Sequence, residues 1–462
     1  MKLVVLNGSP KGDVSVTMRY VAYIQKHYPQ HELKVLNIAH QINGIEKNEQ
    51  EFTRILDEIR AADGVLWAFP LYIFVVIAQY KRFIELIFER NAQAAFKGKY
   101  AAVLTTSIHF SDHTAVNYMQ GICDDLEMRY VDAFTPHMQD LTLDDGRQAL
   151  LQFAQHYFTA IEQQHPTLRR FAPLTHSPVD YSPAAAPAKL DLHGKRAVVI
   201  TDSLQNPNLR AMVEGFRNSF VQPPELFCLE DIDIKGGCLG CLRCGYNYEC
   251  AYTGKDGFID FFNTHLKTAD IIVFAGAMKD RYLSFAWKRF FDRSFFNTHT
   301  PVLRGKQLGF IISGPLAQNQ NLAEVFDIYT QWQMATLAGF ATDEAPTSPE
   351  IDAQLYALAC NLTDYAALQY RKPKTFLGVG GWKIFRDEIW GELRFPFVAD
   401  HKAYKRLGIY RDFPQRNIKS RVGISILLTM AKVKVIRDSI YKGTMKDNMV
   451  EYLDKILDNP NL

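Results

Sequence analysis

Short apolar runs alternate with helix-periodic stretches along the first 165 residues, regularly enough to predict the order of elements. Leu3 to Leu6 reads as a buried strand, Val14 to Lys26 as a helix and Leu33 to Ile38 as a second strand. A helix over Glu51 to Ala62, a strand at Val65 to Ala68 and a helix over Ala78 to Glu89 follow. The block closes with a strand at Ala101 to Thr105, a helix over Ala115 to Glu127 and a strand near Val131. Such alternation belongs to a parallel sheet covered on both faces, which places ligands at the carboxyl ends of its strands.

The pattern stops at Pro166. Pro173, Pro178, Pro183 and Pro187 and the run Ala184 to Ala186 mark a linker that extends to His193. From Lys195 the alternation restarts, with strands at Val198 to Thr201, Glu225 to Leu229, Ile271 to Ala275 and Leu308 to Ser313. Helices are expected over Asn208 to Phe220, Phe258 to Lys267 and Phe285 to Phe296. The halves align: Lys195–Leu204 with Lys2–Pro10, Thr268–Ala275 with Ala61–Ala68, and Trp287–Asp292 with Tyr80–Glu85. The chain is therefore read as a tandem repeat in the α/β class, with two doubly wound parallel sheets. Expected boundaries are 1–165, a linker at 166–193, a second copy at 194–370 and a mainly helical extension at 371–462. In the extension, helices are expected from about Val422 to Tyr441 and from Asn448 to Leu457.

Composition sharpens the picture at two points. The apolar start is too short for a signal peptide, and no run approaches the roughly 18 residues of a membrane span, so a cytoplasmic protein is expected. The formal charge of +2 hides an asymmetry: from Arg371 onward Lys and Arg number 19 against 10 Asp and Glu, leaving 33 against 40 before it. An ordinary solvated face accounts for the basic tail most simply, and docking to an acidic partner or a lipid surface is the alternative. The run Ile424 to Met430, followed by Lys432, Lys434 and Arg437, is read first as a helix packed on the second copy and second as an interfacial helix. Nothing in the pattern suggests nucleic-acid binding, and a homo-oligomer is compatible with it.

Candidate chemistry lies in the loops. The first strand runs into Asn7 to Gly12, followed by Ser15 and Thr17, a turn that can present N–H groups, hydroxyls and a helix start to a phosphate. It is neither a dinucleotide fingerprint nor a Walker loop, and Ser15 as a plain N-cap is the competing reading. After the third strand, Pro70 to Phe74 offers Tyr72 or Phe74 as a stacking shelf for a planar ring, with core packing as the alternative. Thr105 to His109 ends the fourth strand on the same edge, where His109 and His113 are read as bystanders.

The densest signal is Gly236 to Gly254, where Cys238, Cys241, Cys244 and Cys250 stand in a glycine-rich loop. Four of the seven cysteines fall within thirteen residues. This all-cysteine set fits an iron–sulfur cluster first; a structural zinc site and a redox or unmetallated thiol set remain open. Cys123, Cys228 and Cys360 are expected to be buried small hydrophobes.

On Gly8, Ser9, Pro10 and Lys11 with Ser15 and Thr17, on Phe69 to Tyr72, and on the four cysteines, residues 1–340 resemble the flavodoxin-like NAD(P)H-dependent FMN reductases. In particular they resemble the iron–sulfur flavoproteins. The resemblance implies FMN held by Ser9, Lys11, Ser15, Val16 and Thr17, by Pro70, Leu71, Tyr72, Ile73 and Phe74, and by Thr106 and Ser107. It further implies a [4Fe-4S] cluster on Cys238, Cys241, Cys244 and Cys250, with NAD(P)H as a donor. Unlike the family, this chain splits the flavin loop and the cysteines between two copies. The expected activity is a flavin-dependent oxidoreductase moving electrons between FMN on the first copy and the cluster on the second, with a small-molecule or protein redox partner. Alternatives are an FMN or quinone reductase with structural zinc, and a flavin-based sensor docking to a partner. Tyr72, Phe74 and Tyr246 are the expected lining of the gap between the two centres.

Overall fold

The computed structural model describes residues 1–445 together with 453, 456 and 457; the helix expected from Asn448 falls almost wholly outside them. Met1–His401 form one compact unit and Lys402–Leu462 a second.

In the first unit the leading repeat comprises β1 (Lys2–Asn7), α1 (Val16–His27), β2 (Glu32–Leu36), α2 (Ile38–Lys47), α3 (Glu49–Ala61), β3 (Gly64–Pro70), α4 (Ala78–Glu89), β4 (Tyr100–Thr106), α5 (Asp112–Asp125), β5 (Arg129–Phe134) and α6 (Asp144–Glu162). Its strands pair in parallel in the order β2-β1-β3-β4-β5, that of a flavodoxin-like sheet. β3 and β4 are buried along their whole length, as strands covered by helices on both faces must be.

The second repeat contains β6 (Ala197–Thr201), α7 (Pro207–Arg217), β7 (Glu225–Cys228), α8 (Phe258–Phe261), β8 (Ile271–Ala277), α9 (Phe285–Ser294), β9 (Gln307–Ser313), α10 (Gln320–Trp332), β10 (Thr336–Thr342) and α11 (Ser348–Leu368). Its sheet repeats the same topology, β7-β6-β8-β9-β10, and all its pairings are parallel. α8 is a single turn that continues as a π-helix over Phe262–Leu266. α2, α6, α10, β10 and α11 carried no specific expectation, and the region corresponding to the cysteine loop is a regular helix, α2, packed on α4.

The repeats meet through α4 and α9, and the contact is reciprocal. Lys81 pairs with Glu85 inside α4, and Lys288 pairs with Asp292 at the equivalent places in α9, all four side chains being buried. Each carboxylate also accepts the first N–H of the opposing helix: Phe285 donates to Glu85 at 2.6 Å and Ala78 to Asp292 at 2.7 Å. A carboxylate at a helix start satisfies an orphan donor and complements the helix dipole. Arg281 adds a bidentate pair to Asp125 at 2.7 Å; it passes over Gly121, where a Cβ would stand 2.3 Å from its Cδ. Paired like contacts of this kind are the mark of a two-fold interface, here within one chain.

The proline-rich segment between the repeats is irregular in conformation but tied down. Arg170 and Phe171 donate their N–H groups to Asp124, His176 bonds Asp343 at 3.0 Å, and buried Tyr181 donates to Asp352 at 2.5 Å. Beyond α11, α12 (Phe376–Trp390) packs on α10.

α13 (Val398–Leu407) precedes a tail whose regular pieces are α14 (Ile418–Met430) and α15 (Lys434–Ser439), where a single helix to Tyr441 was expected. Of the isolated cysteines only Cys123 is fully buried; Cys228 and Cys360 are half-buried, a correction to the expectation for these two. Cys228 ends a strand at the sheet edge, where helix cover stops.

Candidate functional site

The loop after β1 is built mostly from its own hydrogen bonds. Gly8 N–H continues the sheet to Ala68, Ser9 N–H reaches the Asn7 side chain at 2.9 Å, and the N–H groups of Lys11 and Gly12 turn back onto Ser9. Gly8 is needed for packing, since a Cβ there would lie 2.7 Å from that of Phe69. Ser15 is an N-cap, accepting from Met18 N–H at 3.2 Å. The N–H groups of Val16 and Thr17, in the first turn of α1, find no acceptor among the described residues. With the exposed Lys11 ammonium beside them, they form the part of this loop open to an anion.

Lys11, Val16, Pro70, Leu71, Tyr72, Thr106 and Ser107 line one cavity of about 310 Å³. Cys238, Cys241, Cys244 and Cys250 line the same cavity from the second repeat. Its volume lies in the range of small-molecule sites. The remaining expected residues stand elsewhere: Ser9 and Ser15 are buried in the loop, and Thr17 bonds Thr106, hydroxyl to hydroxyl, at 2.7 Å. Ile73 and Phe74 are core; the Phe74 ring packs against Phe110, Tyr329 and Trp332. Tyr246 is 67% exposed and is not among the cavity walls, so of the three aromatics expected to line the gap only Tyr72 does so.

The cysteine loop is pressed onto the first repeat. Gln79, in the first turn of α4, donates to the Cys238 carbonyl at 3.0 Å, and a Cβ on Gly237 would meet its side-chain oxygen at 2.6 Å. Gly240 has φ +62° and lies under Tyr72, whose hydroxyl a Cβ there would approach to 2.2 Å. Its N–H points at the Cys238 sulfur, 3.5 Å away. Only glycine meets both demands, a left-handed backbone and contact with a ring.

Burial pushes the Cys238 thiol up to about 12, helped by Asp292, Cys250 and Cys241. It pushes Cys244 higher still, with the other three cysteines adding to the effect. Raised in this way, Cys238 and Cys244 stay neutral thiols unless a cation offsets the charge of their thiolates. Among the described residues no group of three or more His, Cys, Asp or Glu is close enough to hold a single metal ion. The four sulfurs share the cavity without converging on one point. The four cysteines belong to one loop and line one cavity, and the Gly240 N–H is directed at the Cys238 sulfur.

Tyr72 is half-buried, and its hydroxyl is turned inward against the cysteine loop at Gly240. Its hydroxyl makes no hydrogen bond of ordinary geometry, although Ser9 is near. Burial above all, and then Cys238 and Asp292, drive its pKa upward, so it stands in the cavity as a protonated donor.

The far wall comes from residues for which no site role was expected. Arg293, buried, donates to Asp256 at 2.7 and 3.0 Å and to the Gly236 carbonyl, and its guanidinium lies 4.2 Å from the Tyr252 ring centre. Burial opposes the Asp256 charge, but the Arg293 contact holds its pKa below the usual range. His299 lines the cavity with Phe385 and Phe397 beside its ring; its Nδ1 lies 2.8 Å from Asp400. Phe385 and Phe397 belong to the stretch after 371, which no sequence motif tied to the site.

Residues 1–161, about a third of the chain, match a family described as having a flavodoxin-like fold. No curated protein matches the chain. Among solved structures, an apo NADH:FMN oxidoreductase is 21% identical, with 34% of this chain and 89% of the other covered and a TM-score of 0.30. The flavoenzyme NAD(P)H:(acceptor) oxidoreductase of Paracoccus denitrificans is 20% identical over 35% of this chain and 97% of its own, with a TM-score of 0.29. An FMN-dependent NADH-azoreductase of Bacillus anthracis, in complex with FMN, is 16% identical over 36% and 99%, at 0.26. Likenesses of this strength carry no function across.

Proposed function

We propose that the chain is a flavin-dependent oxidoreductase that holds FMN on its first repeat and a [4Fe-4S] cluster on its second, on opposite walls of one cavity. The observation that carries the reading is the shared lining: Lys11, Val16, Pro70, Tyr72, Thr106 and Ser107 on one side, and four cysteines on the other. Bound there, FMN supplies two-electron exchange with a hydride donor such as NAD(P)H and one-electron exchange with the cluster.

The work of the chain is to bind, orient and seal. Lys11 and the N–H groups of Val16 and Thr17 are the phosphate donors, Pro70 to Tyr72 form the shelf for the ring, and the four cysteines are the cluster ligands. Tyr72 keeps its proton and offers a hydrogen bond between the two walls. Arg293, paired with Asp256 and lying over the Tyr252 ring, donates to the Gly236 carbonyl and braces the start of the cysteine loop. Phe385 and Phe397 close the wall against water.

The test is a pair of variants with FMN and iron quantified after anaerobic purification. Wild-type protein should carry one FMN and four irons per chain. Lys11→Ala should lose flavin affinity at a cost of about 1.5–3 kcal/mol and keep its iron, whereas Cys241→Ala should lose the iron and keep FMN. Two flavins per chain, or one zinc and no iron, would refute the reading.

A further inference from the structure

The tail has a feature that no part of the redox site uses. Every residue from 414 to 430 is exposed, including Ile418, Val422, Ile426, Leu427, Leu428 and Met430 of α14. Their positions run right round the helix instead of forming one stripe. With Ile424 these are seven large apolar side chains exposed on one helix, and Ser425 and Thr429 between them turn their hydroxyls onto the helix backbone; such a surface marks an interaction site. At 13 residues α14 rises roughly 20 Å, short of the ~30 Å hydrocarbon layer, and no helix among the described residues is long and apolar enough to cross a membrane.

Its flanks are cationic. Between Pro414 and Met445 stand seven Lys and Arg (Arg416, Lys419 and Arg421 at one end of α14, and Lys432, Lys434, Arg437 and Lys442 beyond the other) against one acid, Asp438. A short helix with exposed apolar residues, basic in its first turn and followed by further basic residues, complements a surface that is apolar beneath and anionic above. A protein groove would supply the first property but not, in general, negative charge on both sides of it.

We propose that α14 is an interfacial anchor that inserts into the headgroup and acyl boundary of an anionic lipid bilayer. Leu427 and Leu428 enter the apolar layer, and Lys432, Lys434 and Arg437 stay among the lipid phosphates. The inference is independent of which cofactors the first unit holds.

Co-sedimentation of the full chain with vesicles tests it, using phosphatidylcholine alone and phosphatidylcholine with one-third phosphatidylglycerol. The chain should pellet with the anionic vesicles, with affinity about tenfold or more above that for neutral ones, and should be released as salt rises. Leu427→Asp/Leu428→Asp should abolish pelleting while circular dichroism stays unchanged, and Lys432→Glu/Lys434→Glu should remove the preference for anionic lipid. No pelleting with anionic vesicles, equal pelleting with neutral ones, or full pelleting by the Asp double variant would overturn the anchor. A lipid-independent dimer that the Asp variant dissociates would also overturn it and assign the helix to a second copy.

Discussion

Asp292 of the second repeat accepts, at 2.7 Å, the N–H of Ala78, which opens the helix carrying the first repeat's side of the interface. The mirror contact, Phe285 N–H to Glu85, makes each helix the cap of the other. Asp292 is fully buried and already paired with Lys288, so its loss would strand both a donor and an ammonium. Asp292→Ala should therefore destabilise the chain by about 3–5 kcal/mol, and Asp292→Asn by less. Urea unfolding checks this, and equal effects of the two substitutions would argue against the capping role.

Gly240 is where the cysteine loop touches Tyr72 of the first repeat. Gly240→Ala adds a methyl against Tyr72 and fixes an unfavourable φ, at an expected cost of about 1–3 kcal/mol. Because the displaced segment lies between Cys238 and Cys241, iron content should fall with stability. The control is Gly254→Ala, which has a similar φ of +69° but open space around its Cβ, and which should lose stability alone.

Asp400 accepts from the hydroxyls of Thr298 and Thr300 at 2.6 and 2.7 Å and from the N–H of His299, and it holds the His299 ring. Asp400→Ala leaves these buried donors unmatched and should cost about 3–5 kcal/mol. Asp400→Asn should recover part of that, and chemical denaturation distinguishes the two.

The sheets, their order of elements and the cysteine loop were legible in the sequence because apolar periodicity and ligand spacing are local properties. Lys11, Tyr72 and the four cysteines were legible as candidates for the same reason. What was not legible arises from pairing across the repeats. Phe74 looked equivalent to Tyr72 as a stacking residue, but its burial against Tyr329 and Trp332 depends on elements more than 250 residues away. Phe385 and Phe397 carry no motif, and only the packing of the segment after α11 brings them to the cavity. The Asp292 and Glu85 caps follow an aligned pattern whose meaning appears only once α4 and α9 are side by side.

Burial holds the Lys267 ammonium at about 8, below its ordinary 10.5. Between those pH values the unfolded chain binds the proton and the folded chain does not, so stability should rise with pH across that window and carry the full burial cost below it. Lys267→Met should raise stability near neutral pH by about 1–2 kcal/mol, after allowance for partial exposure, and flatten the alkaline rise. Thermal melts of both proteins from neutral pH to 10.5 check the sign.

Rapid mixing with dithionite or NAD(P)H tests whether flavin and cluster exchange electrons inside one chain. The rate at which the two centres equilibrate should be independent of protein concentration, since Gln79 and Cys238 already hold the two walls together. A rate proportional to protein concentration would mean that electrons pass between molecules, and it would contradict the shared cavity as the site of exchange.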